Sequence, residues 1–284
     1  MPSELTRRAL LRTALLFTGT FMAAPLASAQ ALSELERKSG GRLGVAVIDT
    51  GSGSTLFHRA DERFPMCSTF KVLAAAAVLA RVDRKEERLD RPIPFSKADL
   101  LEYAPVTSTR VSEGKMTVGE LCDAAVTVSD NTAANLLLAT FGGPAGLTAY
   151  ARSLGDRETR LDRNEPTLNT AMPGDPRDTT TPSAMVADLK TLLLGTVLSP
   201  ASRDTLTGWL VANKTGDARL RAGLSKGWRV GDKTGTGDRG TTNDVAIVWP
   251  PRRAPILIAA YLTETAAPAP MREATLAGVA RLLI

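Results

Sequence analysis

The chain has 284 residues, of which 43% are hydrophobic and 23% charged, a composition typical of one large globular domain or two intertwined lobes. Its 35 basic and 30 acidic residues give a net charge of +5, and the two kinds are interleaved, which argues against a nucleic-acid-binding surface. The single histidine, His58, has no partner for a histidine-based metal site. We therefore expect no nucleic-acid partner, no metal ion and no other cofactor.

The first thirty residues have the three parts of a secretory signal peptide. A basic segment at 6–12 precedes a largely apolar segment at 13–27, and small residues follow at 27–29. The pair Arg7 and Arg8 favours the twin-arginine type of signal. We expect cleavage near Ala29, a periplasmic or secreted protein, and no membrane attachment after cleavage.

The predicted elements begin with a hairpin at Arg42 to Glu62, where two β-rich runs flank Gly-Ser-Gly. From Ser68 to about Leu210 the apolar spacing is mostly helical. One helix there begins at a Thr-x-x-Glu capping box, Thr117 to Glu120, and another begins at Thr181 followed by Pro182. Between them, residues 160–182 lack apolar periodicity, and a loop that long in a compact domain is usually functional or disordered.

Three strand candidates and an amphipathic helix complete the chain, so strands occur at both ends and helices between them. This order predicts an α/β (α+β) fold, in which an antiparallel five-stranded sheet is flanked by the terminal helices and carries an inserted all-helical lobe. The expected division is a signal peptide at 1–29, an α/β lobe at 30–62 and 212–284, and a helical lobe at 63–211. The active site is expected between the lobes.

Three short motifs suggest the chemistry. Ser68 precedes Lys71 by one helical turn at the head of an apolar helix, where the two side chains can touch and satisfy each other. Such a pair is common by chance. It is followed, however, by Ser-Asp-Asn at 129–131 in a break between helices, and by Lys-Thr-Gly at 233–235 on a strand.

Together, and in this order, the motifs resemble the signature of class A β-lactamases and penicillin-binding proteins. Glu165 and Asn169 match the E-x-x-x-N of the class A omega loop, which peptidases of the penicillin-binding group lack. The resemblance covers essentially the whole mature chain. It implies hydrolysis of β-lactam antibiotics through an acyl-enzyme intermediate on a serine.

The resemblance also implies a role for each matching residue. Ser68 is the nucleophile, and Glu165 with Asn169 holds and deprotonates the water that releases the acyl group. Ser129 relays a proton to the leaving nitrogen. The base in acylation is either Lys71 or Glu165 acting through a water, and the sequence leaves this open.

For substrate binding, the resemblance implies an oxyanion hole formed by the backbone N–H groups of Ser68 and Thr236. Arg219, rather than Arg221, is expected to anchor the substrate carboxylate, and Tyr103 to form one wall of the mouth. An ion pair between Arg163 and Asp178 is expected to close the neck of the long loop. Gly237 and Asp238 favour a broad spectrum that includes cephalosporins. The expected substrate-binding set is Asn131, Asn169, Lys233, Thr234, Gly235, Thr236, Arg219 and Tyr103.

Two rival functions share the nucleophile: a cell-wall transpeptidase or carboxypeptidase, and a non-catalytic β-lactam sensor. Glu165 and Asn169 argue against the first, and the cleavable signal without an additional domain argues against the second. The expected partners are small-molecule β-lactams, and the protein is expected to be a monomer. Cys67 and Cys122 each match half of a different family disulfide, so we predict two free, buried thiols.

Overall fold

The computed structural model describes residues 23–284, with side chains from residue 28 onward. The predicted signal peptide lies largely outside the described residues, and its cleavage site at Ala29 falls within helix α1 (Ala23–Ser39). Within residues 23–284, no helix combines the length and the apolar character needed to cross a membrane.

A five-stranded antiparallel sheet forms the centre of the fold, as predicted, in the order β2-β1-β9-β8-β7. Its strands are β1 (Arg42–Asp49), β2 (Thr55–His58), β7 (Arg229–Thr236), β8 (Thr242–Trp249) and β9 (Ile256–Thr263). The first and last parts of the chain meet where β1 pairs with β9. Strand β7 lies at one edge of the sheet, and this edge borders the candidate site.

Both faces of the sheet are covered, which explains why β9 is buried along its whole length and is apolar at successive positions rather than alternating. Ile258 and Leu262 face a cluster that includes Leu32 of α1 and Leu276 of α9 (Ala269–Arg281). The intervening Tyr261 belongs to the larger core formed with the helices on the other face. The terminal helices therefore flank one side of the sheet.

The remaining helices are α2 (Phe70–Asp83), α3 (Val118–Thr127), α4 (Asn131–Ala139), α5 (Gly143–Ser153), α6 (Pro182–Leu194), α7 (Pro200–Val211) and the short α8 (Leu220–Gly223). Helix α2 is buried at every position from Phe70 to Ala80, because all of these residues except Lys71 are apolar. It is surrounded by α3, α4, α5 and α7. The two predicted N-caps are confirmed: the Thr117 hydroxyl accepts from Glu120 N–H, and the Thr181 hydroxyl from Ala184 N–H.

The segment 63–211 is not wholly helical, and the sequence prediction is wrong in this detail. It contains two small two-stranded sheets, one pairing β3 (Phe64–Pro65) with β6 (Thr179–Thr180), the other pairing β4 (Pro92–Pro94) with β5 (Lys115–Thr117). Prolines in β3 and β4 limit such pairs, because proline has no N–H to donate to a ladder. Helix α6 also packs on β1 and β9, so it covers the sheet.

Candidate active site

A cavity of about 430 Å³ lies between the β7 edge and the N-terminal end of α2. Its lining is Ser68, Tyr103, Ser129, Asn131, Asn169, Thr215, Arg219, Thr234 and Thr236. Eight of these nine residues were predicted from the sequence as site residues, and Thr215 was not. Lys71, Glu165 and Lys233 lie directly behind the lining, with exposures of 0%, 4% and 0%.

Ser68 stands in a 3₁₀ turn, Cys67–Thr69, that leads into α2. Cys67 has a φ of +45°, in the left-handed region that non-glycine residues adopt rarely and at some energetic cost. The side chain of Asn243 on β8 supports the approach to this turn, because its amide donates to the carbonyls of Pro65 (2.8 Å) and Met66 (3.1 Å). The serine is thus fixed against the sheet.

Glu165 connects Ser68 and Lys71. Its Oε1 accepts from Ser68 Oγ at 3.1 Å and lies 3.1 Å from Lys71 Nζ. The expectation that the serine and the lysine satisfy each other directly is therefore wrong for this geometry: among the described residues, no hydrogen bond joins them. Instead, the carboxylate stands between the hydroxyl and the ammonium.

Lys71 has four oxygen acceptors for its three ammonium hydrogens. Besides Glu165, these are the Ser129 carbonyl (2.8 Å), Asn131 Oδ1 (2.6 Å) and the more distant Ser129 Oγ (3.3 Å). Complete burial lowers the pKa of Lys71, and the charge of Glu165 opposes that shift. The lysine is therefore a saturated donor whose proton is held less tightly than usual.

The long loop is anchored at both of its ends and at Glu165 itself. Asn135 on α4 binds the Glu165 backbone twice, accepting its N–H at 3.0 Å and donating to its carbonyl at 2.9 Å. Arg163 Nε donates to Asp178 Oδ2 at 2.5 Å, forming the ion pair expected at the neck. Asn169 Nδ2 donates to Glu165 Oε2 at 2.5 Å.

Ser129 joins the two buried lysines. Its Oγ lies 3.3 Å from Lys71 Nζ and 3.0 Å from Lys233 Nζ. Its φ is +61°, and the next residue, Asp130, caps α4 through Ala133 N–H. Burial, and then repulsion from Lys71, lowers the pKa of Lys233 well below its usual value. A continuous polar chain thus runs from Glu165 to the β7 strand.

Arg219 and Arg221 occupy different environments. Arg219 lines the cavity and donates to Thr236 Oγ1 at 2.7 Å and to two backbone carbonyls at 2.8 and 2.9 Å. Glu273 is its nearest carboxylate, 3.9 Å from Nε. Arg221 turns away from the cavity and donates to the buried Asp232 carboxylate at 2.5 Å. Of these two arginines, Arg219 is the one that lies in the cavity wall.

Strand β7 presents an unpaired donor to the cavity. Gly237 N–H donates inward to Thr241 O, and Gly235 is opposite Asn243 in the register with β8. Because N–H directions alternate along an antiparallel strand, Thr236 N–H points outward from the sheet edge. This direction is the one required of an oxyanion-hole donor.

The chain matches a family model described as "Beta-lactamase enzyme family" over residues 27–284. The chain belongs to the class A β-lactamases. It is 56% identical over 252 residues to β-lactamase AST-1 of Nocardia asteroides, which covers 89% of this chain and 81% of the relative. It is 53% identical over 254 residues to β-lactamase Toho-1 of Escherichia coli, with 89% and 87% covered.

Solved structures agree with this assignment. The last common ancestor of Gram-negative bacteria (GNCA4) β-lactamase class A superimposes with a TM-score of 0.89 and 67% identity, over 90% of this chain and 98% of that chain. The fold is thus that of a class A β-lactamase, and the enzyme class is established. Class A enzymes are typically exported proteins.

At the mouth of this class A site, Tyr103 is 50% exposed and lines the cavity, while its carbonyl accepts from Asn131 N–H at 3.0 Å. Across the cavity, Asp238 N–H donates to Asn169 O at 2.9 Å. A Cβ on Gly237 would meet Cys67 Sγ at 2.6 Å and Asn169 O at 2.7 Å. The glycine therefore lets the end of β7 pack directly against the long loop.

Sequence reasoning missed two supporting residues. Thr215 Oγ1 lies 2.5 Å from Thr234 Oγ1 and lines the cavity, but it stands in an irregular segment with no motif. Asn135 holds Glu165 and is four residues after Asn131, hence on the same face of α4, which is the only signal that points to it.

Proposed function

We propose that this β-lactamase opens the lactam ring by attack of Ser68 and releases the acyl group by a water that Glu165 activates. The observation that carries this proposal is the position of Glu165, whose two carboxylate oxygens contact Ser68 Oγ (3.1 Å) and Asn169 Nδ2 (2.5 Å). One carboxylate therefore reaches both the nucleophile and the residue expected to hold the water.

In acylation, the Ser68 proton passes to Glu165. The serine hydroxyl already donates to Oε1, whereas every hydrogen of Lys71 is engaged and the ammonium has no free lone pair. Lys71 can accept a proton only after it has given one up. Glu165, the carboxylate beside it, is therefore the base that takes the Ser68 proton. The lysine then serves as an electrostatic partner and a proton relay.

The negative charge that develops on the lactam oxygen is stabilised by the backbone N–H groups of Ser68 and Thr236. Ser68 belongs to the first turn of a helical segment, where N–H groups have no intrahelical acceptor. Thr236 N–H points outward from the sheet edge. Donors fixed in this way need no reorganisation during the reaction.

The leaving nitrogen of the ring receives its proton from Ser129. The Ser129 hydroxyl bridges Lys71 and Lys233, so a proton donated to the substrate is replaced from Lys71. The lowered pKa of both lysines makes such a transfer less costly.

Deacylation uses the opposite side of Glu165. Asn169 Oδ1 is buried and has no hydrogen-bond partner among the described residues, and its amide nitrogen is fixed by Glu165. A water between this oxygen and the carboxylate has an acceptor for each of its hydrogens. Glu165 then removes one of them as the water attacks the ester carbonyl, and the proton passes to Ser68 Oγ as the bond between Oγ and the acyl carbon breaks.

The carboxylate common to β-lactam substrates binds at the cationic end of the cavity. Lys233 and Arg219 supply the charge, and the hydroxyls of Thr234 and Thr236 supply neutral donors. Arg219 is the anchoring arginine, because Arg221 is engaged by Asp232. Gly235 lets the strand approach the nucleophile turn, since a Cβ there would lie 2.7 Å from Met66 O.

We propose a broad spectrum that includes cephalosporins. Gly237 has no side chain to fill the acyl-binding end of the cleft, and Asp238 beside it is short and exposed. The two lobes predicted from the sequence, 30–62 with 212–284 and 63–211, are proposed as the units that bound this cleft. The enzyme is further proposed to be a periplasmic or secreted monomer, free of the membrane and of nucleic acid.

Mixing the purified mature protein with a chromogenic cephalosporin tests the spectrum and the mechanism together. We expect many turnovers per enzyme molecule, and none for Ser68→Ala. One stoichiometric burst would contradict the proposal and favour the behaviour of a peptidase or a sensor. Hydrolysis of penicillins alone would contradict only the proposed spectrum.

A further inference from the structure

Two buried aspartates face each other beneath the long loop, away from the cavity. Asp156 follows α5 and is 8% exposed, and Asp188 lies on α6 and is 2% exposed. Both line one cavity of about 350 Å³, and a hydrogen bond with Asp156 contributes to raising the pKa of Asp188. The Oδ2 atom of each is shielded from solvent and has no other hydrogen-bond partner in residues 28–284.

One proton shared by the two carboxyl groups would explain how both buried Oδ2 atoms can lack any other hydrogen-bond partner. Two ionised carboxylates in contact would repel each other, and each would keep a buried Oδ2 atom without a hydrogen-bond donor. If one group is protonated, its O–H can donate to the other, and a bond between the two Oδ2 atoms would satisfy both. Burial, and then the charge of Asp156, raises the pKa of Asp188 to about 9.

Among residues 28–284, no lysine or arginine forms an ion pair with either carboxyl group. Arg152 on α5 favours ionisation of Asp188, but less strongly than burial and Asp156 oppose it. The Arg152 guanidinium is itself bound to the carbonyls of Asp156 and Thr159, each at 2.7 Å. The other titratable groups around the pair are Tyr150 of α5, Tyr261 of β9, and Asp61, Arg157 and Glu158 along the adjoining cavity.

The pair joins the two ends of the long loop. Asp156 Oδ1 accepts from the N–H groups of Glu158 (2.7 Å) and Thr159 (3.0 Å), which lead into the loop. Thr159 Oγ1 lies 2.6 Å from Thr180 Oγ1 at the other end. Asp188 lies on the helix that begins as the loop ends, so the shared proton links this helix to the loop's first residues.

We propose that Asp156 and Asp188 share one proton and act as a positioning pair, holding together the two ends of the loop that carries Glu165. Loss of that proton leaves two buried carboxylates in contact, and their repulsion separates α6 from the start of the loop. The displacement reaches Glu165 and slows deacylation. This last step rests on the proposed role of Glu165, whereas the shared proton does not.

Infrared difference spectroscopy tests the shared proton directly. The wild-type spectrum minus that of Asp188→Asn at pH 7 should contain the carbonyl stretch of a protonated carboxylic acid, and this band should disappear by pH 10. With the pKa of Asp188 raised to about 9, the pair is mostly protonated at pH 7 and mostly ionised at pH 10. The matched control is Asp204→Asn, an exposed aspartate on α7, which should give no such band. Absence of the band in the wild-type difference would overturn the shared proton.

The pH profile of deacylation tests the positioning role. Asparagine at 188 donates to Asp156 and cannot ionise, so Asp188→Asn should match the wild type within about twofold at pH 7. At pH 10 its deacylation rate should exceed that of the wild type by at least about threefold, because only the wild-type pair has separated. A constant ratio from pH 7 to pH 10, with the infrared band present, would overturn the positioning role.

Asp188→Leu keeps the test interpretable if asparagine perturbs the fold. It removes the donor and leaves Asp156 Oδ2 without a partner, so the deacylation rate should already fall at pH 7. An unchanged rate in a folded Asp188→Leu protein would also overturn the positioning role. The infrared result does not involve Glu165, so failure of the shared proton and failure of the Glu165 mechanism are separately visible.

Discussion

Glu165 and Asp188 are both buried carboxyl groups associated with the long loop, with exposures of 4% and 2%, but their partners differ in kind. Glu165 is surrounded by donors: the Ser68 hydroxyl, the Lys71 ammonium and the Asn169 amide. Asp188 faces another carboxyl group. Burial alone therefore does not decide what an acid does. Hydrogen-bond donors stabilise the ionised form of a carboxyl group, which can act as a base. A neighbouring carboxyl group instead favours the protonated form.

The two arginines near β7 show the same contrast for a cation. Arg221 is paired with the Asp232 carboxylate, so its charge is largely cancelled. Arg219 is bound by carbonyls and a hydroxyl, which fix its position but leave its charge, and its nearest carboxylate is 3.9 Å away. A fixed, weakly compensated cation is suited to binding an anionic substrate.

Replacing Glu165 should have the largest effect. Glu165→Ala removes the base for deacylation, and loss of a general base typically costs about 10²–10⁴-fold in rate. We expect the variant to be acylated by some β-lactams and to accumulate as the ester on Ser68. Intact-mass spectrometry after mixing should show a lasting adduct.

A matched control is Glu158→Ala, which removes a carboxylate just before the loop that is 49% exposed and paired with Arg63. It should turn over β-lactams at close to the wild-type rate. Wild-type turnover by Glu165→Ala would remove the catalytic role assigned to this residue, and Lys71 would then be the remaining candidate base.

Replacing Arg221 should reduce stability more than activity. The change leaves the buried Asp232 without its cation, next to Asp244, whose pKa burial already raises well above its usual value. Breaking a buried ion pair typically costs about 3–5 kcal/mol, and we expect ~2–4 kcal/mol here because Arg221 is partly exposed. Urea denaturation of Arg221→Ala should measure the loss. A free energy of unfolding equal to that of the wild type would contradict the pairing.

Replacing Arg219 should instead reduce activity. If it anchors the substrate carboxylate, Arg219→Ala should lower kcat/KM by about 1–3 kcal/mol in transition-state terms, the scale of a hydrogen bond to a charged group. Steady-state kinetics with a penicillin and a cephalosporin would measure this. An unchanged kcat/KM for both would transfer the role to Lys233 alone.

Asp188 should give the free energy of unfolding an unusual pH dependence. The pKa of Asp188 is about 9 in the folded protein, above its unfolded value, so the folded state binds the additional proton between about pH 4 and pH 9. The free energy of unfolding of the wild type should therefore fall, relative to that of Asp188→Asn, as the pH rises through this range. The slope is at most about 1.4 kcal/mol per pH unit. Melting temperatures at pH 5, 7 and 9 would show it, and parallel curves would contradict it.

The sequence predicted the sheet, the terminal helices and nearly all of the cavity lining, because these depend on local pattern or on ordered motifs. Hydrophobic spacing identifies strands and helices, and the Ser-x-x-K, Ser-Asp-Asn and Lys-Thr-Gly motifs locate the site. Contacts between segments that are far apart in the chain were harder to predict from the sequence. Asp156 and Asp188 are far apart in the chain, and each resembles an ordinary surface aspartate until the fold buries them together.

The expected hydrogen bond between Ser68 and Lys71 is absent for a related reason. Helical spacing places the two side chains on one face, but it says nothing about a third group that enters from another segment. Glu165 is brought there by the long loop and held by Asn135. Spacing therefore predicts which residues are able to meet, and competing partners decide which of them do.

Cys67 and Cys122 are a third kind of buried group. Among the described residues, their thiols have neither a hydrogen-bond donor nor an ion-pair partner, so they should have the smallest effect. Cys67 and Cys122 are both 0% exposed, and within the described part of the chain neither is in a disulfide. Burial raises the pKa of both thiols, so each stays neutral and behaves as a small apolar residue. Thiol titration in denaturant without reductant should find two groups, and native protein should react only as fast as it unfolds. A count of zero, with a mass two units lower than the sequence requires, would instead show a bridge between Cys67 and Cys122, and the nucleophile turn would then be held differently from the geometry described above.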